Sequence, residues 1–194
     1  MKKFITMALA LMVAMCCQAQ NATQIFDRTV AAYKAAGAVS ASYSMGASRG
    51  TIVMKGSQFR ILANNVKSWY DGKTQWTYST ATDEVNVTNP TSQQLVMVNP
   101  LAAAQTLKQG YSMSAKKSGA GYVLTLKPKA KSNVTSVQLH ISSAYVLTKA
   151  VYTTQQGSET LVISNYKTKV ATSAATFKFD KKQVPAGTEV VDLR

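Results

Sequence analysis

Apolar and polar residues alternate with a period of two through most of the chain after Val39, and short clusters of Gly, Asn and Asp interrupt the alternation at regular intervals. A period of two places successive side chains on opposite faces of an extended strand. The pattern predicts strands at 39–45, 50–55, 58–63, 66–70, 74–79, 84–88 and 94–98, and then at 112–116, 122–127, 136–142, 148–154, 159–166, 176–179 and 190–192. Two segments follow a helical period instead. Phe26, Val30 and Tyr33 recur at i, i+4 and i+7, with Thr23 placed to cap the helix and Gly37 to end it in the left-handed conformation. Asn99-Pro100 predicts the start of a second helix, where Leu101, Ala104 and Leu107 form a stripe that Gly110 closes.

The segment WYDGKTQWTYSTATDEVNV, Trp69 to Val87, carries the clearest hairpin chemistry. Asp71-Gly72 supplies a tight turn. Trp76 and Tyr78 then share one face of the next strand, which makes that face greasy, while Gln75, Thr77 and Ser79 share the hydrated one. A long sheet with two apolar-striped helices buries one face by curling on itself under those helices. The expected fold is therefore mainly β: an open, strongly curved antiparallel barrel of about 11 strands with helices over its mouth. Its inward set is expected to include Ile52, Met54, Phe59, Ile61, Trp76, Tyr78, Tyr122, Leu124, Leu126, Val137, Leu139, Ile141, Leu161 and Ile163. Periodicity does not say whether that interior is solid or hollow.

The N-terminus changes the setting. Lys2 and Lys3, an apolar run from Phe4 to Met15 and a polar stretch ending in Gln18-Ala19 read as a secretory signal peptide, cut after Ala19. The run is too short to span a bilayer. Acylation at Cys16 or Cys17 fits poorly, because Met15 and Cys16 stand where a lipobox has a small residue. Both cysteines leave with the leader, so residues 20–194, read as a single domain, hold together in an oxidising compartment without a disulfide. Loss of Lys2 and Lys3 takes the formal charge from +14 to +12. Export points away from nucleic acid, and the scattered basic residues read either as a solvated surface or as an attraction to anionic headgroups or acidic patches at a membrane.

Catalytic chemistry has few parts to work with. His140 is the single histidine, expected on the solvent side of its strand, and a metal site needs more ligands. Asp83-Glu84 reads as a turn rather than an acid–base couple, and no phosphate-cradling glycine loop is present. The chain reads as a binding protein with no cofactor, no metal and no catalytic residue.

The DGKTQWTY core, with Val85 and Val87 beyond it, resembles the periplasmic lipoprotein carriers of the LolA family. Preceding it is GTIVMKGSQF at Gly50–Phe59, and after it come the Pro100 helix, GYVLTLKPK at Gly121–Lys129, VQLHIS at Val137–Ser142 and the closing FKFDKKQVPAGTEVVDLR. The resemblance implies a periplasmic chaperone that shelters the acyl chains of lipoproteins in an apolar cavity and shuttles them from the inner to the outer membrane of Gram-negative bacteria. It further implies loading by an inner-membrane ABC-type release complex, unloading at an outer-membrane acceptor or membrane surface, and action as a monomer. On that reading the cavity is formed by Ile52, Met54, Phe59, Ile61, Trp76, Tyr78, Met97, Tyr122, Leu124, Leu139 and Ile141. Phe26, Val30, Tyr33, Leu101 and Leu107 belong to the lid helices. Many relatives carry an Arg-Pro pair after the strand lysine, whose Arg holds the lid; here Gly56-Ser57 stands there, with Arg49 and Arg60 as nearby candidates for that role. Two alternatives stand beside this reading: an exported β-sheet envelope protein that binds glycan or another envelope protein through its face, and a lipid-sensing domain of the same fold.

Overall fold

The computed structural model describes residues 22–98 and 104–194. The leader region, Cys16, Cys17 and Leu101 lie outside the described residues, as does the side chain of Met97. A helix, α1, covers residues 22–35 and gives way at Gly37, whose φ of 68° is the left-handed value expected there. The helix already includes Ala22, so Thr23 is inside it and does not cap it.

Among the described residues, twelve strands follow in one sheet. They are β1 Ala38–Met45, β2 Ser48–Lys55, β3 Gln58–Ala63, β4 Val66–Tyr70, β5 Gln75–Ser79, β6 Glu84–Thr88, β7 Tyr111–Ser118, β8 Gly121–Pro128, β9 Val134–Ile141, β10 Leu147–Thr154, β11 Gly157–Lys167 and β12 Glu189–Asp192. The spatial order is β12-β6-β5-β4-β3-β2-β1-β11-β10-β9-β8-β7, so two meanders meet where β1 pairs with β11. The sheet is open, with β12 and β7 at its edges. Every pairing is antiparallel except β12 on β6, which is parallel because the chain returns to that edge from β11 through a long C-terminal segment.

Two expected strands are helical. Residues 94–98 fall in helix α2, Ser92–Val98. Thr91 and Gln94 form a capping box, in which the Thr91 N–H donates to Gln94 Oε1 at 2.8 Å and the Gln94 N–H donates back to Thr91 Oγ1 at 3.4 Å. That local signal outweighs the apolar run Leu95–Val98. Residues 174–177 form a 3₁₀ helix, at whose start the Ser173 N–H donates to Thr176 Oγ1 at 3.0 Å, where a strand at 176–179 was expected. Helix α3, Ala104–Gly110, carries Leu107 into the core as its stripe predicts.

The main core lies between α1 and the strands from β8 to β10. Ala22, Ile25, Phe26, Val30 and Tyr33 of α1 pack with Leu107, Leu124, Leu126, Val137, Leu139, Ile141, Leu147, Ala150 and Tyr152. Each fully buried aliphatic or aromatic side chain contributes about 1.5–3 kcal/mol, and this cluster holds most of them on one face of the sheet. A second cluster of Trp69, Tyr78 and Val85 sits apart, packed by Leu62, Trp76, Phe179 and Val184.

The registers decide which face each cluster occupies. Met54 faces Phe59, Phe59 faces Tyr70 and Tyr70 faces Gln75, so these four share the face that α1 covers. Arg60 faces Trp69, and Trp69 faces Trp76, which faces Val87. Trp76 and Tyr78 are therefore on the opposite face, where residues 174–184 cover them, and their expected place inside the barrel is corrected. The side read as hydrated points inward instead. Gln75 Nε2 donates to Ser68 Oγ at 3.0 Å and to Thr77 Oγ1 at 3.2 Å, forming a small polar network on that inner face.

Candidate functional site

The face under α1 is hollow near the junction of the two meanders. A cavity of about 590 Å³ opens there, inside the range of roughly 300–1,000 Å³ typical of small-molecule sites. Its walls come from alternating positions: Ala41, Tyr43 and Met45 of β1, Ile52 and Met54 of β2, Ile61 of β3, Tyr152 of β10, and Leu161 and Ile163 of β11. Its roof is the side of α1 bearing Ala32, Tyr33 and Ala35, continued by Ala36 in the turn after it. Three of those four are alanines, so the helix spans the sheet without filling the space beneath it. Ala144 to Leu147, in the β9–β10 turn, close one end.

One wall residue owes its place to an irregularity. The β1–β11 register slips between Ser40 and Ser42, and Asn165 takes a φ of 51° at the extra residue. Without that bulge, Tyr166 would share a face with Ser164 and point outward; with it, Tyr166 lines the cavity. Gly50 in β2 answers to close approach rather than to a turn. A Cβ there would collide with the backbone carbonyl oxygen of Leu62, which explains the small residue opening the β2 motif.

Five of the nine tyrosines line the cavity, so its polar character is mostly phenolic. Tyr33 and Tyr145 spend their hydroxyls on fastening the roof. Tyr33 Oη donates to the backbone oxygen of Gly56 at 2.9 Å, which ties α1 to the β2–β3 turn. Arg28 Nη1 donates to Tyr145 Oη at 2.8 Å, with the guanidinium 5.6 Å from the ring centroid, and the same ring stacks on Tyr122 at 6.0 Å. The bond from Arg28 pulls the Tyr145 phenol below its ordinary range. Tyr145 is held at a φ of 59°, a conformation uncommon for an aromatic residue, in a turn that meets both roof and cavity. Asp27 and Lys108 join α1 to α3 at 2.8 Å, although both ends are exposed and such a pair contributes about 1 kcal/mol or less. Arg49 and Arg60, the candidates for holding the lid, project from the face away from α1, as the pairs Ser44–Arg49 and Arg60–Trp69 show. Gly56, standing where relatives have the Arg-Pro pair, receives the Tyr33 bond through its carbonyl.

Tyr152 differs from its neighbours. It is 5% exposed, its hydroxyl has no hydrogen-bond partner, and burial pushes its phenol up to about 12. Among the described residues Glu159 is the one charged lining residue, exposed at the rim opposite Tyr152 in the β10–β11 register.

Of the residues expected to form the cavity, Ile52, Met54 and Ile61 line it. Phe59 lies beside it, fully buried with its ring 5.2 Å from Tyr70. Leu124, Leu139 and Ile141 are solid core beneath α1, and Tyr122 packs on that core. Among the described lid residues, Phe26, Val30 and Leu107 are also core, and Tyr33 reaches the cavity. Sequence reasoning missed Tyr43, Tyr145, Tyr152 and Tyr166. The alternation in Val39–Met45 and in Ala150–Tyr152 could have shown Tyr43 and Tyr152, whereas Tyr166 needed the bulge. His140 is on the face opposite Leu139 and Ile141, as expected, and is half-buried there; burial, with Lys149 and Lys116 adding to it, lowers its imidazole below the usual 6.5. Asp83 sits at a turn with φ 51°, where its carboxylate accepts from Tyr78 Oη and Thr188 Oγ1. No group of three or more metal-ligating side chains occurs among the described residues.

One solved structure shares this architecture, and others match it more distantly. An uncharacterised conserved protein from Thermus thermophilus matches with a TM-score of 0.60 at 13% identity, covering 89% of this chain and 99% of its own. The Mycobacterium tuberculosis lipoprotein LppX matches at a TM-score of 0.46 and 11% identity, over 77% of this chain and 97% of its own. MucB, in the Pseudomonas aeruginosa MucA/MucB complex, matches at 0.46 and 14% identity, over 85% of this chain and 63% of its own. The first shows a common fold, and the other two are too distant to carry an argument. No curated protein matches the chain. The sequence profile of the outer membrane lipoprotein carrier protein LolA matches residues 12–155, about three-quarters of the length and all of the cavity wall contributed by β1, β2 and β3. The chain belongs to the LolA family of outer membrane lipoprotein carrier proteins, a family of carriers rather than of enzymes.

Proposed function

We propose that the protein is an exported carrier, freed of its leader near Ala19, that holds the acyl chains of lipoproteins in the cavity beneath α1 and conveys them from the inner to the outer membrane. The observation that carries the reading is the apolar hollow of about 590 Å³ roofed by the alanine side of α1. Its liners are aliphatic residues, methionine and tyrosine, which bury a chain without fixing its register.

Magnitudes favour a protein-bound route. At ~0.8 kcal/mol per buried CH₂, three chains of about fifteen methylenes cost on the order of 35 kcal/mol to expose. A cavity of about 590 Å³ offers an apolar space of the size that small-molecule ligands occupy. Lifting of α1 enlarges it for a larger load. The bonds from Tyr33 to Gly56 and from Arg28 to Tyr145 are among those that break when the helix lifts. Loading at an inner-membrane ABC-type release complex and delivery to an outer-membrane acceptor or membrane surface complete the cycle, with the carrier acting as a monomer.

Capture of a purified acylated lipoprotein, set against the same lipoprotein lacking its acyl chains, tests this. Stoichiometric uptake of the acylated form alone is expected, together with lipid co-purifying in mass spectra of the mature protein. Equal capture of both forms, or neither, would contradict the proposal.

A further inference from the structure

On the face away from α1, a second recess of about 280 Å³ lies between the β3–β4 hairpin and the C-terminal segment, lined by Arg60, Leu62, Lys67, Trp69 and Gln183. From the geometry we infer that this recess binds an oxyanion, a phosphate or carboxylate group carried next to an apolar body. It is independent of the cavity beneath α1, since its residues belong to the other face of the sheet.

Three observations meet there. The first is a pair of orphaned donors. Arg60 Nε and the Trp69 indole Nε1 are both buried without a hydrogen-bond partner, and the two residues stand opposite each other across β3 and β4. Trp69 is completely buried. A buried donor left unpaired is costly, and native proteins rarely tolerate two in one place without a ligand or water to satisfy them. An indole N–H and a guanidinium have no acceptor capacity, so what satisfies them must be an acceptor.

The second observation is uncompensated charge. The ion pairs among the described residues are Asp27–Lys108 and Asp192–Arg194, and neither involves Arg60 or Lys67. Lys67 Nζ donates to the backbone oxygen of Gln183 at 2.9 Å and lies 5.7 Å from the Tyr78 ring, which positions the ammonium without neutralising it. The covering segment adds exposed Lys178, Lys181 and Lys182. The carboxylate in that segment, Asp180, is already engaged in accepting from the Lys182 N–H at 2.9 Å.

The third is shape. Leu62 and Trp69 give the recess an apolar floor, and Phe179, 5.5 Å from the Trp69 ring, holds the C-terminal segment over it. A planar guanidinium matches phosphate and carboxylate geometry through paired N–H groups, and an ammonium beside it adds a point charge. An apolar floor under two cations suits an anion attached to hydrocarbon better than a fully hydrated one.

The chain's two tryptophans make the test direct, because each gives one indole N–H resonance. Titrating the ¹⁵N-labelled mature protein with inorganic phosphate, at ionic strength held constant with chloride, is expected to move the Trp69 indole peak to saturation. Arg60→Gln is expected to weaken that response at least tenfold, and Arg60→Lys to restore part of it. Cosedimentation with phosphatidylcholine vesicles, with and without phosphatidylglycerol, distinguishes the source of the anion. Binding that needs phosphatidylglycerol and falls in Arg60→Gln assigns a lipid headgroup, whereas saturation by phosphate without vesicle binding assigns a soluble anion. A Trp69 peak that does not saturate, with vesicle binding indifferent to phosphatidylglycerol, would overturn the inference. A response equal in wild type and Arg60→Gln would overturn it as well.

Discussion

The two meanders of this sheet carry separate cores on opposite faces. From β8 to β10 the buried side chains, Leu124, Leu126, Leu139 and Ala150 among them, lie under α1. From β4 to β6 Trp69, Tyr78 and Val85 lie on the far side, under the C-terminal segment, while Tyr70, beside Phe59, stays buried on the α1 side. The inner face of that second meander carries Ser68, Gln75 and Thr77, hydrogen-bonded to one another. The cavity lies between these regimes, where β1, β2 and β3 still present apolar residues inward but α1 offers mainly alanine above them. A hollow therefore arises where one meander's core has ended and the other's has changed sides. Neither an inserted ligand nor a missing element is needed to explain it.

Truncating a core residue on either side should break the comparison most visibly. Trp69→Ala is expected to cost about 3–5 kcal/mol in urea denaturation and to expose residues 174–192 to protease, leaving α1 protected. Leu126→Ala is expected to cost about 2–5 kcal/mol and to loosen α1 instead, with the C-terminal segment intact. If both variants loosen the same segment, the two cores are not separate.

The cavity itself is probed by filling it. Ala32→Phe places a ring under the roof and is expected to abolish acyl-chain capture while costing no more than about 1–3 kcal/mol of stability. Unchanged capture would move the site elsewhere.

A smaller effect concerns Tyr152. Its unpaired hydroxyl is buried, so Tyr152→Phe is expected to raise stability by about 1 kcal/mol and to remove the phenol that titrates near 12 in an absorbance titration. The smallest effect is that of His140. Its folded imidazole titrates below 6.5, so the unfolded chain binds the proton first as the solution is acidified. Its contribution to stability is complete above pH 6.5 and is lost as the pH falls through the folded value. His140→Gln should flatten that part of the stability profile and leave the neutral region unchanged.

Much of this architecture was legible in the pattern of residues. The strands, the amphipathic α1, its end at Gly37 and the inward alternation of Ile52, Met54 and Ile61 all follow from side-chain period and turn chemistry. The Asp71-Gly72 turn was legible too, although it spans 71–74, with Asp71 Oδ1 accepting from the N–H groups of Lys73 and Thr74. The faces of β5 were not. Alternation divides Trp76 and Tyr78 from Gln75 and Thr77 but does not say which set meets the core, because a strand can be covered from either side. The cover came from a distant segment, Phe177 to Val184, which begins in a 3₁₀ helix where a strand was expected. Local capping decided α2, where Thr91 and Gln94 outweighed an apolar run. Tyr166 escaped notice because a one-residue bulge inverts the alternation on which the reading rests.

The account turns on which face of the sheet meets the acyl chain. A photoreactive phenylalanine placed at Ile61 in one variant and at Trp76 in another, each irradiated with an acylated lipoprotein, tests this most directly. The account predicts a crosslink to the acyl chain from position 61 and none from position 76. Crosslinking from position 76 with silence at position 61 would contradict it.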